Sequence, residues 1–170
     1  MKLELKSKDK QGIFTEVEAY LKDLKLDIVA RDQERPWGGF FVIDEQQAQH
    51  FGKLFFPDVN IDGLRISGKL SPKILIVQPD KRLSWQYHHR RAEIWRVIGG
   101  VAGVVTSQTD VETDNLELKS GDTIRLSQGQ RHRLIGLKEW GVIAEIWQHT
   151  DANHPSDEND IVRVQDDFGR

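Results

Sequence analysis

The sequence contains no cysteine, which excludes disulfide bonds, thiolate metal ligands and cysteine nucleophiles. Any metal ion must therefore be held by histidine, by carboxylate or by amide oxygen. Long apolar runs are also missing: none approaches the roughly 20 residues needed to span a bilayer, and the N-terminus lacks the apolar stretch of a secretion signal. We expect no membrane partner and a cytoplasmic location.

The chain has no excess of positive charge, since 24 lysines and arginines stand against 27 aspartates and glutamates for a formal net charge of -3. Its basic residues do not form a stripe interleaved with aromatic residues, which is the pattern typical of nucleic-acid binding. We therefore expect no nucleic-acid partner. The length of 170 residues suits one domain that buries about two thirds of its unfolded surface.

The first part of the chain carries a helical pattern followed by turn signals. Apolar residues recur at helical spacing and predict an amphipathic helix that packs on the core, with a partner-binding helix as the alternative: Ile13, Phe14, Val17, Tyr20, Leu21 and Leu24. We expect residues 1–34 to form an N-terminal helical extension and residues 35–170 to form the main domain. Between residues 31 and 70, turns between short strands are predicted at "RPWGG", "FFPDVNIDG" and "ISGKLSP".

After residue 72 the sequence becomes a series of short β-rich runs: "KILIVQ", "RLSWQYH", "EIWRVI", "VAGVVTS", "NLELK", "DTIRLS", "HRLIGL" and "GVIAEIW". Turn-forming residues separate them at the regular spacing of an antiparallel sandwich or barrel. In the polar last twenty residues, Ile161, Val162, Val164 and Phe168 predict that the segment docks back on the domain.

One stretch, "LSWQYHHRRAEIW" at residues 83–95, concentrates groups that are costly to bury. Gln86 and His88 are two residues apart, so in a strand they share a face. If "HRRA" turns the chain into a paired strand, Glu93 comes opposite that face, and His132 on a later strand could reach the same interior. A single histidine in a strand is more often a surface or satisfied core group, but the whole set suits zinc, manganese or cobalt, with zinc preferred.

The same stretches resemble a known family. Residues 79–100, "PDKRLSWQYHHRRAEIWRVIGG", and residues 121–132, "GDTIRLSQGQRH", resemble the two cupin motifs. The blocks "RPWG", "LSWQYHHRRAEIW", "RHRLIG" and "ENDIVRVQDDFGR" are similar, in the same order, to the cupin domain of type II mannose-6-phosphate isomerases. The resemblance implies a mainly β fold, a double-stranded β-helix or jelly-roll barrel, over residues 35–170.

The resemblance also implies roles for individual residues. It places one divalent metal ion on Gln86, His88, Glu93 and His132. It implies substrate contacts by Lys73, by Arg91 in the expected hairpin turn and by Arg170 in the terminal "GR". Isomerases of this family are often fused behind a mannose-1-phosphate guanylyltransferase, but no segment here resembles a nucleotidyltransferase, so we expect the isomerase half only.

The implied function is a metal-dependent aldose–ketose isomerase, with mannose 6-phosphate and fructose 6-phosphate as the expected pair. Arg91 could stabilise the enediolate, and His89 is a candidate base, although a regular strand would point it away from the metal. The alternatives are a non-catalytic cupin that binds a sugar or sugar phosphate, or another cupin enzyme such as an epimerase or a dioxygenase. The family usually has histidine where this chain has Arg90 and Ile94; these losses favour the non-catalytic alternative, and the retained ligands favour the isomerase.

Remaining polar and aromatic residues have structural interpretations. Arg131 and Arg133 flank His132 and are expected on the solvent face. The run "EIWRVI" is apolar on both faces, so we expect a second sheet, the N-terminal helix or another subunit to cover it, and a homodimer is one possibility. Tryptophans among β-branched neighbours are expected in the core: Trp85, Trp95, Trp140 and Trp147.

Overall fold

The computed structural model describes residues 2–65 and 68–170. Its first helix, α1 (Lys10–Asp23), begins after Asp9, whose carboxylate accepts a hydrogen bond from the backbone N–H of Gly12 at 3.3 Å. The buried residues of α1 include Phe14 and Val17, so the prediction of an N-terminal helix packed on the core is confirmed. A 3-10 turn (Glu45–Gln47) and two shorter helices follow, α2 (Ala48–Phe55) and α3 (Ile61–Leu64).

Ten strands run through the part of the chain that the structure describes. Their bounds are β1 Ile28–Asp32, β2 Gly38–Ile43, β3 Lys73–Val77, β4 Trp85–Tyr87, β5 Arg91–Ser107, β6 Leu116–Lys119, β7 Thr123–Leu126, β8 Arg131–Ile135, β9 Gly141–His149 and β10 Val162–Gln165. Every pairing between these strands is antiparallel.

The long strand β5 belongs to both sheets of the barrel. Its first half lies between β9 and β7 in a sheet ordered β1-β2-β3-β9-β5-β7, and its second half lies between β8 and β6 in a sheet ordered β10-β4-β8-β5-β6. The prediction of two strands separated by a turn at Gly99 and Gly100 was wrong. The pairing register shifts between Val97 and Gly99, and Gly100 adopts a φ of 64°, so the glycines form a bulge within one strand.

The two sheets enclose one apolar core, and the helices cover a second. In β3, Leu75 and Val77 face the space between the sheets, whereas Ile74 and Ile76 face the helices. The interior cluster draws on both sheets and includes Trp95 and Leu134. The prediction of a mainly β cupin barrel with an N-terminal helix is therefore confirmed, and the four tryptophans expected in the core are buried.

Several local predictions need correction. β4 does not form a hairpin with β5, because β4 pairs with β8 and β10 instead. The region from residue 31 to residue 70 contains helices α2 and α3 as well as strands, since its apolar residues pack against the first sheet. Of the turn predicted at residues 66–72, Ile66 and Ser67 lie outside the described residues.

The C-terminal segment docks on the barrel, as predicted, because β10 pairs with β4. This docking buries Arg133, which was expected in solvent but is fully buried: its guanidinium donates to the backbone carbonyls of Leu83 and Gln165 and to the carboxylate of Glu112. No helix in the described ranges has the length and apolar character needed to cross a membrane.

Candidate metal centre

Three buried side chains converge inside the barrel from three different strands or strand ends. His88 directly follows β4, Glu93 lies on β5 and His132 lies on β8. The Nε2 atoms of the two histidines are 3.3 Å apart, and Glu93 oxygens lie 3.1 Å from the Nε2 of His88 and 3.5 Å from that of His132. The potential ligand atoms all lie within 4.8 Å of one another, which is the spacing of a metal-binding group.

The hydrogen bonds of the two imidazoles show that this group suits a cation. The Nδ1 atom of His88 lies 2.7 Å from the carbonyl oxygen of Asp160, and the Nδ1 atom of His132 lies 3.1 Å from that of Gln130. Because a carbonyl oxygen only accepts, both Nδ1 atoms carry a proton, and both Nε2 atoms face the carboxylate of Glu93. Two imidazole nitrogens and a carboxylate form a ligand set that fits zinc or a similar divalent ion.

The ionisation states agree with a ligand role. Burial alone would raise the pKa of Glu93, but the neighbouring His88 and Arg91 hold that pKa well below its usual range. Burial lowers the pKa of His132 to about 4, so its imidazole is neutral near pH 7. A carboxylate and a neutral imidazole are the forms that bind metal.

The fourth predicted ligand, Gln86, lies beside this group. It is the partner of His132 in the pairing of β4 with β8, and its side chain is partly exposed to the cavity described below. Its Oε1 atom accepts a hydrogen bond from the hydroxyl of Ser84 at 2.6 Å. The ligand set expected from the sequence is thus brought to one region, although not through the expected hairpin.

A cavity of about 430 Å³ opens above the metal-binding group and is large enough for a small polar ligand. Gln86 and Glu93 line it together with the apolar side chains of Leu75 and Trp95. Five basic residues also line it: Arg35, Lys73, Arg91, Arg163 and Arg170. All three predicted substrate contacts are therefore at the cavity, together with two arginines that the sequence did not single out.

Arg91 was expected on a hairpin turn. The structure instead places it, buried, on a strand. It is the first residue of β5, two positions before Glu93, so both side chains point into the barrel. Its Nε donates to Glu93 Oε1 at 2.8 Å, and its guanidinium lies 3.6 Å from the centre of the Trp147 ring. A terminal nitrogen also donates to the hydroxyl of Ser156 at 2.9 Å. These contacts consume much of its hydrogen-bonding capacity.

Lys73 is likewise engaged within the protein. It is buried on the interior face of β3, forms an ion pair with Glu158, and lies 4.7 Å from the centre of the Phe40 ring. A substrate anion would therefore compete with a carboxylate for this ammonium group.

The remaining three cations surround the part of the cavity next to β10. Arg163 is exposed, and its side chain makes no hydrogen bond or ion pair with any residue that the structure describes. Partial burial and the charge of Arg170 lower its pKa, whereas the charge of Asp166 raises it. Arg170 binds Asp166 through Nε at 2.9 Å, and Arg35 Nε lies 2.9 Å from Asp32 but outside hydrogen-bonding geometry. This arrangement leaves positive charge available to an anion.

Glu145 is a buried cavity residue that sequence reasoning missed. Its two oxygens accept hydrogen bonds from the indole nitrogens of Trp95 at 2.7 Å and Trp147 at 2.8 Å. Burial raises the pKa of Glu145 to about 8, and the charge of Glu93 acts in the same direction. The alternation of "GVIAEIW" could have identified it, since Glu145 and Trp147 share a strand face.

His89, the candidate base, is exposed and does not line the cavity. Its ring packs edge-on against Tyr87, with 5.5 Å between ring centres. The structure therefore does not bring His89 to the metal-binding group, because the residue after His88 points to the opposite side of the chain.

This chain is similar in sequence to known proteins. The family model described as mannose-6-phosphate isomerase C-terminal matches residues 43–166. The alginate biosynthesis protein AlgA of Pseudomonas aeruginosa is 27% identical over 124 residues, which cover 73% of this chain and 24% of that protein. The xanthan biosynthesis protein XanB of Xanthomonas campestris is 30% identical over 118 residues, which cover 69% of this chain and 24% of that protein.

The chain spans about a quarter of the length of these curated relatives. Among solved structures, a cupin 2 conserved barrel domain protein from Salinispora arenicola is 24% identical, with a TM-score of 0.41 over 48% of this chain and 63% of that one.

Proposed function

Because the chain belongs to the mannose-6-phosphate isomerase C-terminal family, we propose that it is a metal-dependent isomerase that interconverts an aldose phosphate and a ketose phosphate. Mannose 6-phosphate and fructose 6-phosphate are the proposed pair. The family match supports a sugar-phosphate substrate, and the proposal adds the reaction and the roles of individual residues.

The observation that carries the proposal is the combination of a metal-binding group and a cationic region in one cavity. His88, Glu93 and His132 would hold a divalent ion, with Gln86 beside them. When bound, such an ion supplies Lewis-acid polarisation of a carbonyl oxygen. A sugar phosphate has the carbonyl and the phosphate that these two regions of the cavity suit.

Arg163 is the proposed main contact of the substrate phosphate. Its guanidinium is free of other partners among the described residues, and it offers the planar fork that binds phosphate oxygens in pairs. Arg170 and Arg35 add positive charge beside it. Lys73 and Arg91 remain proposed contacts, but each would have to share its charge with a carboxylate.

Glu145 is the proposed proton-transfer group. The reaction removes a proton from C2 of the aldose and returns a proton to C1 of the ketose, so one group must accept the proton and then donate it. Glu145 lines the cavity, and the two indole N–H groups of Trp95 and Trp147 fix its carboxyl group. We prefer it to His89, which lies outside the cavity.

One observation favours a second candidate, a non-catalytic protein that binds a sugar phosphate. Arg91 donates to Glu93 at 2.8 Å, and one of its terminal nitrogens lies 3.3 Å from His88 Nε2. A guanidinium in this position neutralises the carboxylate and occupies lone pairs that a metal ion would need. If Arg91 keeps this position in solution, the cavity binds the ligand without metal.

The deciding experiment is metal analysis followed by an isomerase assay. The purified protein is assayed with zinc, manganese or cobalt on a panel of hexose and heptose phosphates, with His132→Ala as the inactive reference and His154→Ala as the matched control. Metal-dependent turnover that His132→Ala abolishes supports the isomerase. Sugar-phosphate binding measured by calorimetry, without turnover on any member of the panel, supports the binding protein.

A further inference from the structure

The segment before β10, Ser156–Asp160, which we call the strap, lies against the residues that carry the metal ligands. The carbonyl oxygen of Asp160 accepts the hydrogen bond from His88 Nδ1 at 2.7 Å. Arg91 donates to the hydroxyl of Ser156 at 2.9 Å and to the carbonyl of Asp157 at 3.0 Å. The strap is thus connected both to a metal ligand and to the arginine beside it.

Asp160 holds the turn between β4 and β5 with its carboxylate as well. One oxygen accepts from the backbone N–H of His89 and the other from that of Arg90, both at 2.9 Å, and the second oxygen also accepts from the hydroxyl of Ser156 at 2.6 Å. Asp160 is buried, with 3% of its surface exposed. The residue therefore binds the backbone after His88 and the ring of His88 at the same time.

From these contacts we propose that Asp160 is a positioning residue for the metal centre. Its carboxylate fixes the carbonyl of the strap relative to the chain after His88, and that carbonyl fixes the imidazole with the proton on Nδ1. The Nε2 lone pair then faces Glu93 and His132. Partners of this kind set the tautomer and the orientation of metal-binding histidines, and their loss weakens metal binding by roughly 10- to 100-fold.

This inference requires a metal centre but does not depend on the proposed isomerase reaction. The test is Asp160→Asn, which puts an amide donor against a backbone N–H and removes one hydrogen bond. Asp157→Asn is the matched control, because that side chain is exposed. Among the described residues, its carboxylate accepts one hydrogen bond, from the backbone N–H of Asn159 at 2.9 Å. Cobalt(II) alone is the probe, titrated by calorimetry and by visible absorption, with circular dichroism as the measure of folding.

We expect Asp160→Asn to weaken cobalt binding by about tenfold or more and to change the cobalt absorption bands, which report ligand geometry, while Asp157→Asn matches the parent. A folded Asp160→Asn protein with parental affinity and spectrum overturns the inference. If the variant does not fold, Ser156→Ala decides, measured in the Arg91→Met background because the hydroxyl also accepts a hydrogen bond from Arg91. Weaker cobalt binding than in Arg91→Met alone supports the role of Asp160, and equal binding overturns it. A parent protein that binds no cobalt contradicts the metal centre itself, whereas a difference confined to the isomerase assay bears only on the proposed function.

Discussion

The Nε2 atoms of His88 and His132 lie 3.3 Å apart, because both rings hold their Nδ1–H groups on backbone carbonyls and turn the opposite ring edge toward Glu93. In the neutral rings both Nε2 atoms are acceptors beside the carboxylate of Glu93, so a cation bound among the three groups would interact favourably with all of them. This arrangement of acceptors is the basis of the first prediction.

We expect the purified protein to hold about one divalent ion per chain, and His88→Ala or His132→Ala to lose it, since the two imidazoles are buried ligands that no neighbour can replace. His50→Ala and His154→Ala are the controls, because both side chains are exposed and away from the cavity. Elemental analysis by mass spectrometry measures the stoichiometry. A His132→Ala protein that still holds one metal ion per chain would contradict the proposed metal centre.

Arg163→Ala should weaken substrate binding more than it slows turnover. Among the described residues, Arg163 is the basic residue of the cavity whose side chain makes no hydrogen bond or ion pair. We therefore expect KM for the sugar phosphate to rise about tenfold, with a smaller change in kcat. Arg163→Lys should restore part of the affinity, because an ammonium keeps the charge but not the planar fork. Arg125→Ala, on the exposed side of β7, is the control, and equal KM values for both alanine variants would contradict the assignment.

Arg91→Ala should destabilise the fold, whereas the same substitution at an exposed turn would have little effect on stability. Removing the buried guanidinium leaves the carboxylate of Glu93 without its closest cation, a change that costs roughly 3–5 kcal/mol in folding free energy. Urea unfolding of the metal-free protein measures the loss. Arg96→Ala, at a half-buried position of the same strand, should cost less than about 1 kcal/mol. The double variant Arg91→Met, Glu93→Gln should recover much of the stability, and no recovery would mean that the unpaired charge is not the cause.

Asp160 should contribute an acid-sensitive part of the stability. Although burial opposes ionisation, hydrogen bonds from Ser156, His89 and Arg90 lower the pKa of Asp160 from 3.8 to about 2. A lowered folded-state pKa stabilises the fold above the unfolded value near 4, and this contribution, about 2 kcal/mol, disappears as the pH falls through 2. In the metal-free protein, the unfolding free energies of the parent and Asp160→Asn should differ most at pH 6 and converge toward pH 2. A constant difference would exclude this origin.

The sequence could predict the barrel and the metal-binding group because both follow from alternation along strands. Gln86 and His88 share a strand face, and Glu93 and His132 lie on the barrel-facing side of their own strands, so alternation indicates which side chains point into the barrel. The predicted hairpin was wrong, because alternation indicates which face of a strand a side chain lies on but not which strands pair. The strand β4 pairs with β8 and β10, in the second sheet of the barrel.

The residues that sequence reasoning placed wrongly or missed depend on contacts across long stretches of chain. Arg133 was expected in solvent, and only the docking of β10 covers it and gives it the carbonyl of Gln165. The role of Asp160 depends on the contact between the strap and His88, which lies 72 positions earlier in the chain. Local periodicity carries no information on such pairings, whereas it did contain the signal for Glu145.

Glu145→Gln gives the sharpest test of the proposed proton transfer. Glutamine keeps the size of the side chain and one oxygen acceptor for an indole N–H, but its amide group faces the second indole N–H, so the folding, metal binding and sugar-phosphate binding of the variant are measured first. It cannot accept and return a proton, so kcat should fall by on the order of 100-fold or more. Glu139→Gln, at an exposed position before β9, is the matched control.

A second measurement separates proton transfer from a distorted cavity. In deuterium oxide the parent should exchange the substrate proton at C2 with solvent, as followed by nuclear magnetic resonance, and Glu145→Gln should lose this exchange while its Kd for the sugar phosphate stays within about threefold. A cavity merely distorted by the substitution would weaken binding and exchange together. Parental exchange in a Glu145→Gln protein that binds normally would assign the proton transfer to another group, and since the structure places His89 outside the cavity, the search would move to the remaining lining residues.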